Sequence, residues 1–336
     1  MRKTTKCLLC GAVAELSDEK YPGYQEPDTF DIYHCPTCYT SFSLPRVDTE
    51  NIYNLIYHKG MEMPGYDRYW HYKNVVKTHT DALQFLYEAE ESYWAPITVL
   101  KKVITGKHSA KILELGCGMG YLTYSLIQAG YDSIGLDISR EAIEEAKHSF
   151  GDHYICADAY KFADLHKNEY DVIIMTELIE HVEAPADFLR HVTQMVKVGG
   201  IIIVTTPNKT VYPDTVIWKT DFPPVHCWWL SENSMKHIAR EINCEVDFVD
   251  FSDYYRNNKT HICVDLSKQH LVTSILRENG EIIAPPLHIK WYRYKIWSRL
   301  IAIYKKIKSF VLPGAVFYYS CKERGPITCA VFKKSS

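Results

Sequence analysis

Between residues 110 and 205 the chain alternates between two hydrophobic rhythms. Short, nearly continuous apolar runs at 110–115, 133–137, 154–156, 170–175 and 201–204 read as buried strands. Between them lie stretches with apolar residues at helical spacing: 121–129 ahead of Gly130, a helix capped by Ser139, and 186–196. Strands alternating with helices predict an α/β fold, a mostly parallel sheet with helices on both faces. Residues 51–108 lack a clean strand pattern. They are rich in Tyr, His and Trp, and 93–103 has helical spacing, so they read as helices covering the next domain.

The first 48 residues have a different character. Cys7-Leu8-Leu9-Cys10 and Cys35-Pro36-Thr37-Cys38 are two C-x-x-C pairs, with strand-like runs at 30–34 and 40–45 on either side of the second. Each pair sets two thiolates on one side of a tight turn, and two such turns facing each other give the tetrahedral sulfur set that Zn2+ prefers. This is a zinc-ribbon pattern with Cys7, Cys10, Cys35 and Cys38 as ligands. An all-cysteine site is closed, so its expected role is structural.

Composition narrows the class. The chain has 336 residues, 46% of them hydrophobic and 24% charged, with a formal net charge of −3, which argues for a globular protein and against a nucleic-acid binder held by overall charge. No apolar run is long enough for a transmembrane helix, and no apolar segment follows the first basic residues as a secretory signal would. Eleven cysteines, an odd number with several inside apolar runs, point to reduced thiols and a cytoplasmic setting.

The loop after the first strand of the α/β region is Glu114-Leu115-Gly116-Cys117-Gly118-Met119-Gly120, and Asp137 ends the second strand. A strand–glycine turn–helix unit turns backbone N–H groups toward a ligand, and an acid at the end of the next strand can accept ribose hydroxyls. That geometry serves dinucleotides too, but Tyr121 stands where a third glycine of G-x-G-x-x-G would be. The stretch resembles motif I of class I S-adenosylmethionine (SAM)-dependent methyltransferases, and Tyr170–Val182 resembles the fourth-strand motif of that family's UbiG-like members. Gly135–Ser139, Cys156–Ala159, Tyr170–Val182, and Pro207 with Asn208 resemble that family's later motifs in the same order. The resemblance covers about residues 108–250 plus a last strand at 327–333. It implies a Rossmann-like sheet of seven strands and SAM as cofactor. Its expected contacts are Glu114, Gly116, Cys117, Gly118, Gly120, Asp137 and Ile138, with Asp158 and Ala159 at the adenine and Thr176 and Glu177 after the fourth strand. Tyr66 and Tyr69, in the aromatic run 63–70, join this pocket or pack against the core.

Methyl transfer needs an aligned nucleophile and, for an alcohol, an acceptor for its proton. The candidates lie in the segment from Asp221 to Ser231, where Pro223 and Pro224 lead to His226, Trp228 and Trp229 follow like the wall of a sugar or aromatic pocket, and Ser231 caps a helix. His226 is the expected base, with an ordinary pKa near 6.5 suited to the task. Asp221 is a partner to it, and His181 a pocket-lining alternative. The segment resembles one in zinc-ribbon-bearing deoxysugar C-methyltransferases, except that Val225 replaces a Glu there. That change favours O-methylation of a sugar hydroxyl in a glycan, nucleotide-sugar or natural-product intermediate, with sugar C-methylation as the alternative. An RNA methyltransferase docking through the ribbon is the other alternative; six Lys/Arg against eight Asp/Glu in residues 1–60 count against it.

Residues 282–322 contain no Asp or Glu but eight Lys/Arg, with Ile289, Tyr292, Ile296, Leu300, Ile303, Ile307 and Phe310 at helical spacing. A basic amphipathic helix over 287–311 reads as a contact for anionic lipid at the inner membrane face, or as a helix packed on the domain with a solvated basic face. The expected division is therefore 1–48 ribbon, 49–108 helical cover, 109–254 SAM-binding core, 255–325 insert, and 326–336 final strand.

Overall fold

The structure is a computed structural model and describes residues 3–104, 110–215, 222–266, 272–283 and 316–335. Asp221 and the basic segment 287–311 lie outside the described residues.

Four strands, β1 (Thr4–Lys6), β2 (Val13–Pro22), β3 (Thr29–His34) and β4 (Ser41–Leu44), form an antiparallel sheet in chain order. The two C-x-x-C turns sit between β1 and β2 and between β3 and β4, and they share one geometry. The residue after each pair, Gly11 or Tyr39, is left-handed (φ 75° and 57°). Its N–H returns to the carbonyl of the first cysteine, at 3.0 Å in one turn and 2.8 Å in the other. Four helices follow: α1 (Glu50–His58), α2 (Asp67–Val75), α3 (Ala82–Ala89) and α4 (Glu91–Val103).

The α/β region runs β5 (Lys111–Leu115), α5 (Tyr121–Gln128), β6 (Asp132–Asp137), α6 (Arg140–Phe150), β7 (Tyr154–Cys156), α7 (Ala159–Leu165), β8 (Tyr170–Thr176), α8 (Pro185–Met195) and β9 (Val196–Pro207). It continues with β10 (Trp228–Trp229), α9 (Glu232–Glu241), β11 (Cys244–Phe248), α10 (Ser252–Asn257), β12 (His261–Asp265), β13 (Val316–Ser320) and β14 (Ile327–Lys334). The seven-stranded sheet has the order β11-β14-β9-β8-β5-β6-β7. Strands β5 to β9 are parallel, and β14 and β11 run antiparallel at one edge.

The strands feed two cores by alternation, because successive side chains of a strand point to opposite faces. Ile112, Val172, Ile174, Ile201 and Ile203 pack with α3, α4 and α5 on one face. Leu113, Leu115, Ile173, Met175, Ile202 and Val204 pack with α8 and α9 on the other. The fold is thus the Rossmann-like sheet of seven strands, covered on both sides.

Some elements depart from the sequence reading. Strand β11, expected from the sequence to reach Phe251, ends at Phe248, and Asp250 accepts the Ser252 N–H at 2.7 Å as the chain turns into α10. Strand β9 begins five residues early, at Val196. The short helix α7, capped by Asp158, carries only Phe162 and Ala163 as buried positions, too few for a legible period.

The largest departure concerns Trp228 and Trp229, expected as pocket wall. They form β10, which pairs with β4 and becomes the fifth strand of the N-terminal sheet. Both rings are buried, Trp228 against Phe42 and Trp229 in a cluster with Phe30 and Ile32.

Candidate active site

Strand β5 lies between β8 and β6, so the chain leaves its carboxyl end with neighbours running off to either side. Such a switch point opens a crevice outside the strand ends. Here it is a cavity of about 1180 Å³, lined by the 116–120 loop, Asp137, Ile138, Asp158, Thr176, Glu177, His181 and His226, and on the covering side by Tyr53, Tyr57, Tyr66, Arg68 and Tyr69.

The glycine loop is shaped by its backbone. Gly116, Gly118 and Gly120 all have positive φ, which alternates the chain and brings Gly120 to the N-cap of α5. The Gly116 and Cys117 N–H groups bond the Leu136 carbonyl at 2.8 and 3.1 Å, and the Tyr154 hydroxyl donates to the Gly120 carbonyl at 2.7 Å. Asp137 locks the loop to β6, with Oδ2 accepting the Gly118 N–H at 2.8 Å and Oδ1 accepting the Ser139 N–H at 2.9 Å. Each oxygen keeps a second lone pair, the capacity a pair of ribose hydroxyls needs. Burial raises its pKa above the usual value.

Glu114 is buried behind the loop and accepts the Thr123 hydroxyl. Burial pushes its pKa up to about 8, so it is a neutral acid over most of the physiological range. Ile138 stands 73% exposed, an apolar side chain on the lining. Asp158 and Ala159 line the same end, with one Asp158 oxygen accepting the Lys161 N–H that caps α7.

Thr176 ends β8, and Glu177 leaves it in the left-handed region (φ 52°). Its Oε2 accepts from Arg68 Nη2 at 2.5 Å and from the Tyr69 hydroxyl at 2.9 Å. Arg68 also reaches Glu90 at 3.3 Å. The covering helix α2 is thereby pinned to the end of β8, and Tyr66 meets Tyr69 edge-on at 5.8 Å. Arg68 was not singled out from sequence, although it stands beside Tyr69 in the aromatic run.

At the far end, His181 and His226 meet edge-to-face with ring centroids 4.3 Å apart. His181 Nδ1 lies 2.8 Å from the Val225 carbonyl and 2.9 Å from the Tyr53 hydroxyl. A carbonyl can only accept, so Nδ1 carries a hydrogen and directs it at Val225. Tyr53, four residues before Tyr57 in α1, was also missed; the two tyrosines on one helix face were its only signal. Glu180 is fully buried and accepts the Thr206 hydroxyl at 3.0 Å. One donor atom each from Glu180, His181 and His226 lie within 4.8 Å of one another, a carboxylate and two imidazoles that could hold a divalent cation.

The ordinary pKa expected of His226 does not survive burial. Desolvation, reinforced by the positive charge of Arg68, lowers it to about 3. The imidazole is neutral at physiological pH, but it is a weaker base than the free side chain.

The four cysteine sulfurs converge, all within 4.8 Å of one another, with Cys7 and Cys38 at 3.7 Å and Cys10 and Cys35 at 3.5 Å. A tetrahedron with Zn–S bonds of about 2.3 Å has sulfurs about 3.8 Å apart, so the set fits that ion closely. The hydrogen bond between Cys7 and Cys38 draws the Cys7 thiol down to about 5 and raises that of Cys38. All eleven cysteines are free of disulfides.

Residues 87–248 match the family model described as a methyltransferase domain. The chain is 33% identical over 111 residues to the ubiquinone biosynthesis O-methyltransferase of Aliivibrio fischeri (strain ATCC 700601 / ES114), covering 32% of this chain and 47% of that protein. It is 28% identical over 128 residues to the protein of the same name from Shewanella halifaxensis, covering 36% and 54%. The chain thus spans about half the length of the curated relatives it matches. A SAM-dependent methyltransferase of Archaeoglobus fulgidus, known by crystal structure, is 16% identical, with a TM-score of 0.44 over 75% of this chain and 99% of that one. By sequence match the stretch 87–248 is similar to methyltransferase domains, and it lies within the Rossmann-like sheet described above.

Proposed function

We propose that the chain is a SAM-dependent methyltransferase acting on a hydroxyl oxygen, and that its acceptor is a sugar hydroxyl of a glycan, nucleotide-sugar or natural-product intermediate. One observation carries this reading. A single cavity runs from the glycine loop and Asp137 to the His181–His226 pair, with room for a nucleoside and an acceptor together. The matched relatives are named O-methyltransferases, which agrees with an oxygen acceptor.

SAM, when bound, supplies a methyl group on an already activated sulfonium. In the transfer a C–O bond forms, the S–CH3 bond breaks, and the hydroxyl proton leaves. The glycine loop and Asp137 hold the nucleoside, and Tyr53, Tyr57, Tyr66 and Tyr69 offer ring faces and hydroxyls to the acceptor. His226 takes the proton as general base. With a pKa of about 3 it acts late, as the oxygen loses basicity on gaining the methyl group. A second reading has Glu180, His181 and His226 bind a divalent cation that lowers the pKa of the acceptor hydroxyl. The four cysteines hold Zn2+ as a structural ion.

Reduced thiols agree with a cytoplasmic setting. Among the described residues no helix is long and apolar enough to cross a membrane. Contact of residues 287–311 with anionic lipid is part of the proposal, and co-sedimentation indifferent to anionic lipid would remove it.

Calorimetric titration with S-adenosylhomocysteine, with NAD as control, tests the cofactor. Binding of NAD alone overturns the reading. A radiolabelled methyl screen over nucleotide-sugars, phenols and RNA then tests the acceptor, and methylation of RNA alone would move the function to the RNA class.

A further inference from the structure

The N-terminal sheet and the acceptor end of the cavity share a strand. β4 pairs with β3 on one side and with β10 on the other, Phe42 opposite Trp228 and Ser41 opposite Trp229. Cys227, the neighbour of His226, extends the join. Its carbonyl accepts the Ser43 N–H at 3.2 Å and Arg46 Nη1 at 3.1 Å, and the Arg46 guanidinium lies 4.4 Å from the Trp228 ring centroid. The same segment is tied on its other side to the residues after β8. Cys227 and Trp228 donate backbone N–H groups to the Glu180 carbonyl at 3.1 and 3.3 Å, and Trp228 Nε1 donates to the Val182 carbonyl at 2.9 Å. The segment carrying His226 is strung between a ribbon strand and the segment carrying Glu180 and His181.

The four-cysteine cluster reaches this segment by a second route. The Cys38 carbonyl accepts the Ser231 hydroxyl at 3.0 Å and the Ser234 hydroxyl at 3.3 Å. Ser234 Oγ meets Thr40 Oγ1 at 2.6 Å, and Cys38 Sγ lies within hydrogen-bond distance of Thr40 Oγ1 at 3.1 Å. Cys38, Thr40, Ser231 and Ser234 are all buried, and Ser231 and Ser234 are also the capping box of α9. The second cysteine turn and the start of α9 therefore hold each other in place. The glycine loop, by contrast, is fastened by Leu136, Asp137 and Tyr154, all within the stretch 87–248.

We infer that the metal-loaded cysteine cluster is a positioning element of the acceptor site, holding the 226–231 segment through β4 and the Cys38–Thr40–Ser234 contacts while leaving the cofactor half alone. Small cysteine modules fold with their metal. Without the ion the two turns lose their common centre, β4 loses its anchor at Cys38, and His226 loses one of the two supports of its segment. What the acceptor site does rests on the function proposed above; the mechanical coupling does not.

Hydrogen–deuterium exchange on the full chain, loaded with Zn2+ and after its removal by a chelator, tests this at residues 41–46, 226–235 and 111–140. S-adenosylhomocysteine affinity is measured on both forms. Removal should speed exchange at 41–46 and 226–235 together by about tenfold or more and leave 111–140 unchanged. Affinity should stay within about threefold. Protection at 226–235 that survives loss of the metal overturns the inference, as does opening of 111–140 alongside it.

Thr40→Val keeps all four thiols and is the companion variant. It should retain one equivalent of Zn2+ and its S-adenosylhomocysteine affinity, exchange faster at 226–235, and lower kcat more than it changes KM. Unaltered exchange there overturns the inference. If no S-adenosylhomocysteine binds to any form, the proposed function fails, and the exchange data still decide the coupling.

Discussion

Substitution at Gly118 and Gly120 separates cofactor binding from folding within three residues of chain. Both glycines are left-handed, at φ 46° and 77°. A side chain at either costs about 1–2 kcal/mol in backbone strain. They differ in what a Cβ would meet. At Gly118 nothing lies within 4 Å, and the residue lines the cavity. At Gly120 a Cβ would stand 2.6 Å from the Tyr154 ring and 2.7 Å from the Ala146 methyl, both buried. Overpacking of that kind adds about 1–3 kcal/mol. Gly118→Ala should therefore lose about 1–2 kcal/mol of stability and Gly120→Ala about 2–5 kcal/mol, measured by urea denaturation. Gly118→Arg carries the argument to function. Its side chain occupies space the folded protein leaves open, so stability should match that of Gly118→Ala, while S-adenosylhomocysteine affinity falls by about a hundredfold or more, a loss of about 2.7 kcal/mol. Calorimetry and denaturation on the same preparations check both. Wild-type affinity in Gly118→Arg would refute the assignment of this loop to the cofactor. Equal stability of the two alanine variants would refute the steric argument.

His226→Ala should cut kcat by about 10²–10⁴-fold with S-adenosylhomocysteine affinity unchanged, and unchanged turnover removes it as the base. Because His226 is neutral above about pH 3, its titration should put no acid limb between pH 5 and 8 in the kcat profile of the wild type. The same residue is protonated below about pH 6.5 when unfolded, so its contribution to stability falls as pH drops from 6.5 toward 3. Glu114 has the opposite sign. Its native carboxyl keeps up to about pH 8 a proton that the unfolded chain releases near 4.5, so stability is lost as pH rises through that window, by up to about 5 kcal/mol. Glu114→Gln should flatten the dependence of Tm on pH between 5 and 8, and a retained slope of the same size would assign it elsewhere. If Glu180, His181 and His226 hold a catalytic cation, a chelator too weak to strip the cysteine cluster should abolish turnover and Mg2+ or Mn2+ should restore it, whereas full activity in that chelator leaves His226 acting alone.

The glycine loop was legible because its geometry is local in sequence. Three left-handed glycines within five residues and an acid ending the next strand form a pattern that backbone geometry imposes, and Asp137 does lock the Gly118 N–H. The parallel sheet was legible for a related reason: strands buried on both faces must be apolar at every position, as at 172–175 and 201–204. What could not be read depends on distant partners. Two tryptophans after a histidine look alike as a pocket wall or a strand, and only the unpaired edge of β4 decides between them. The low pKa of His226 comes from burial and from Arg68, a residue of the covering helix, and no local pattern around 226 announces either.

The place of β10 in the N-terminal sheet also bears on how this protein can be cut and recombined. A chain begun at residue 49 would keep β10 but lose β4, leaving the Cys227 carbonyl and the paired edge of β10 without their partner strand, beside a stripped apolar face formerly covered by Phe30, Ile32 and Phe42. Such an edge is a template for self-association. The truncated chain should therefore collect in the insoluble fraction even though the stretch 87–248 is intact in sequence. By the same logic, grafting residues 1–48 onto another protein would fail as a simple fusion, because the graft would also have to carry the 226–234 segment on which the N-terminal sheet closes.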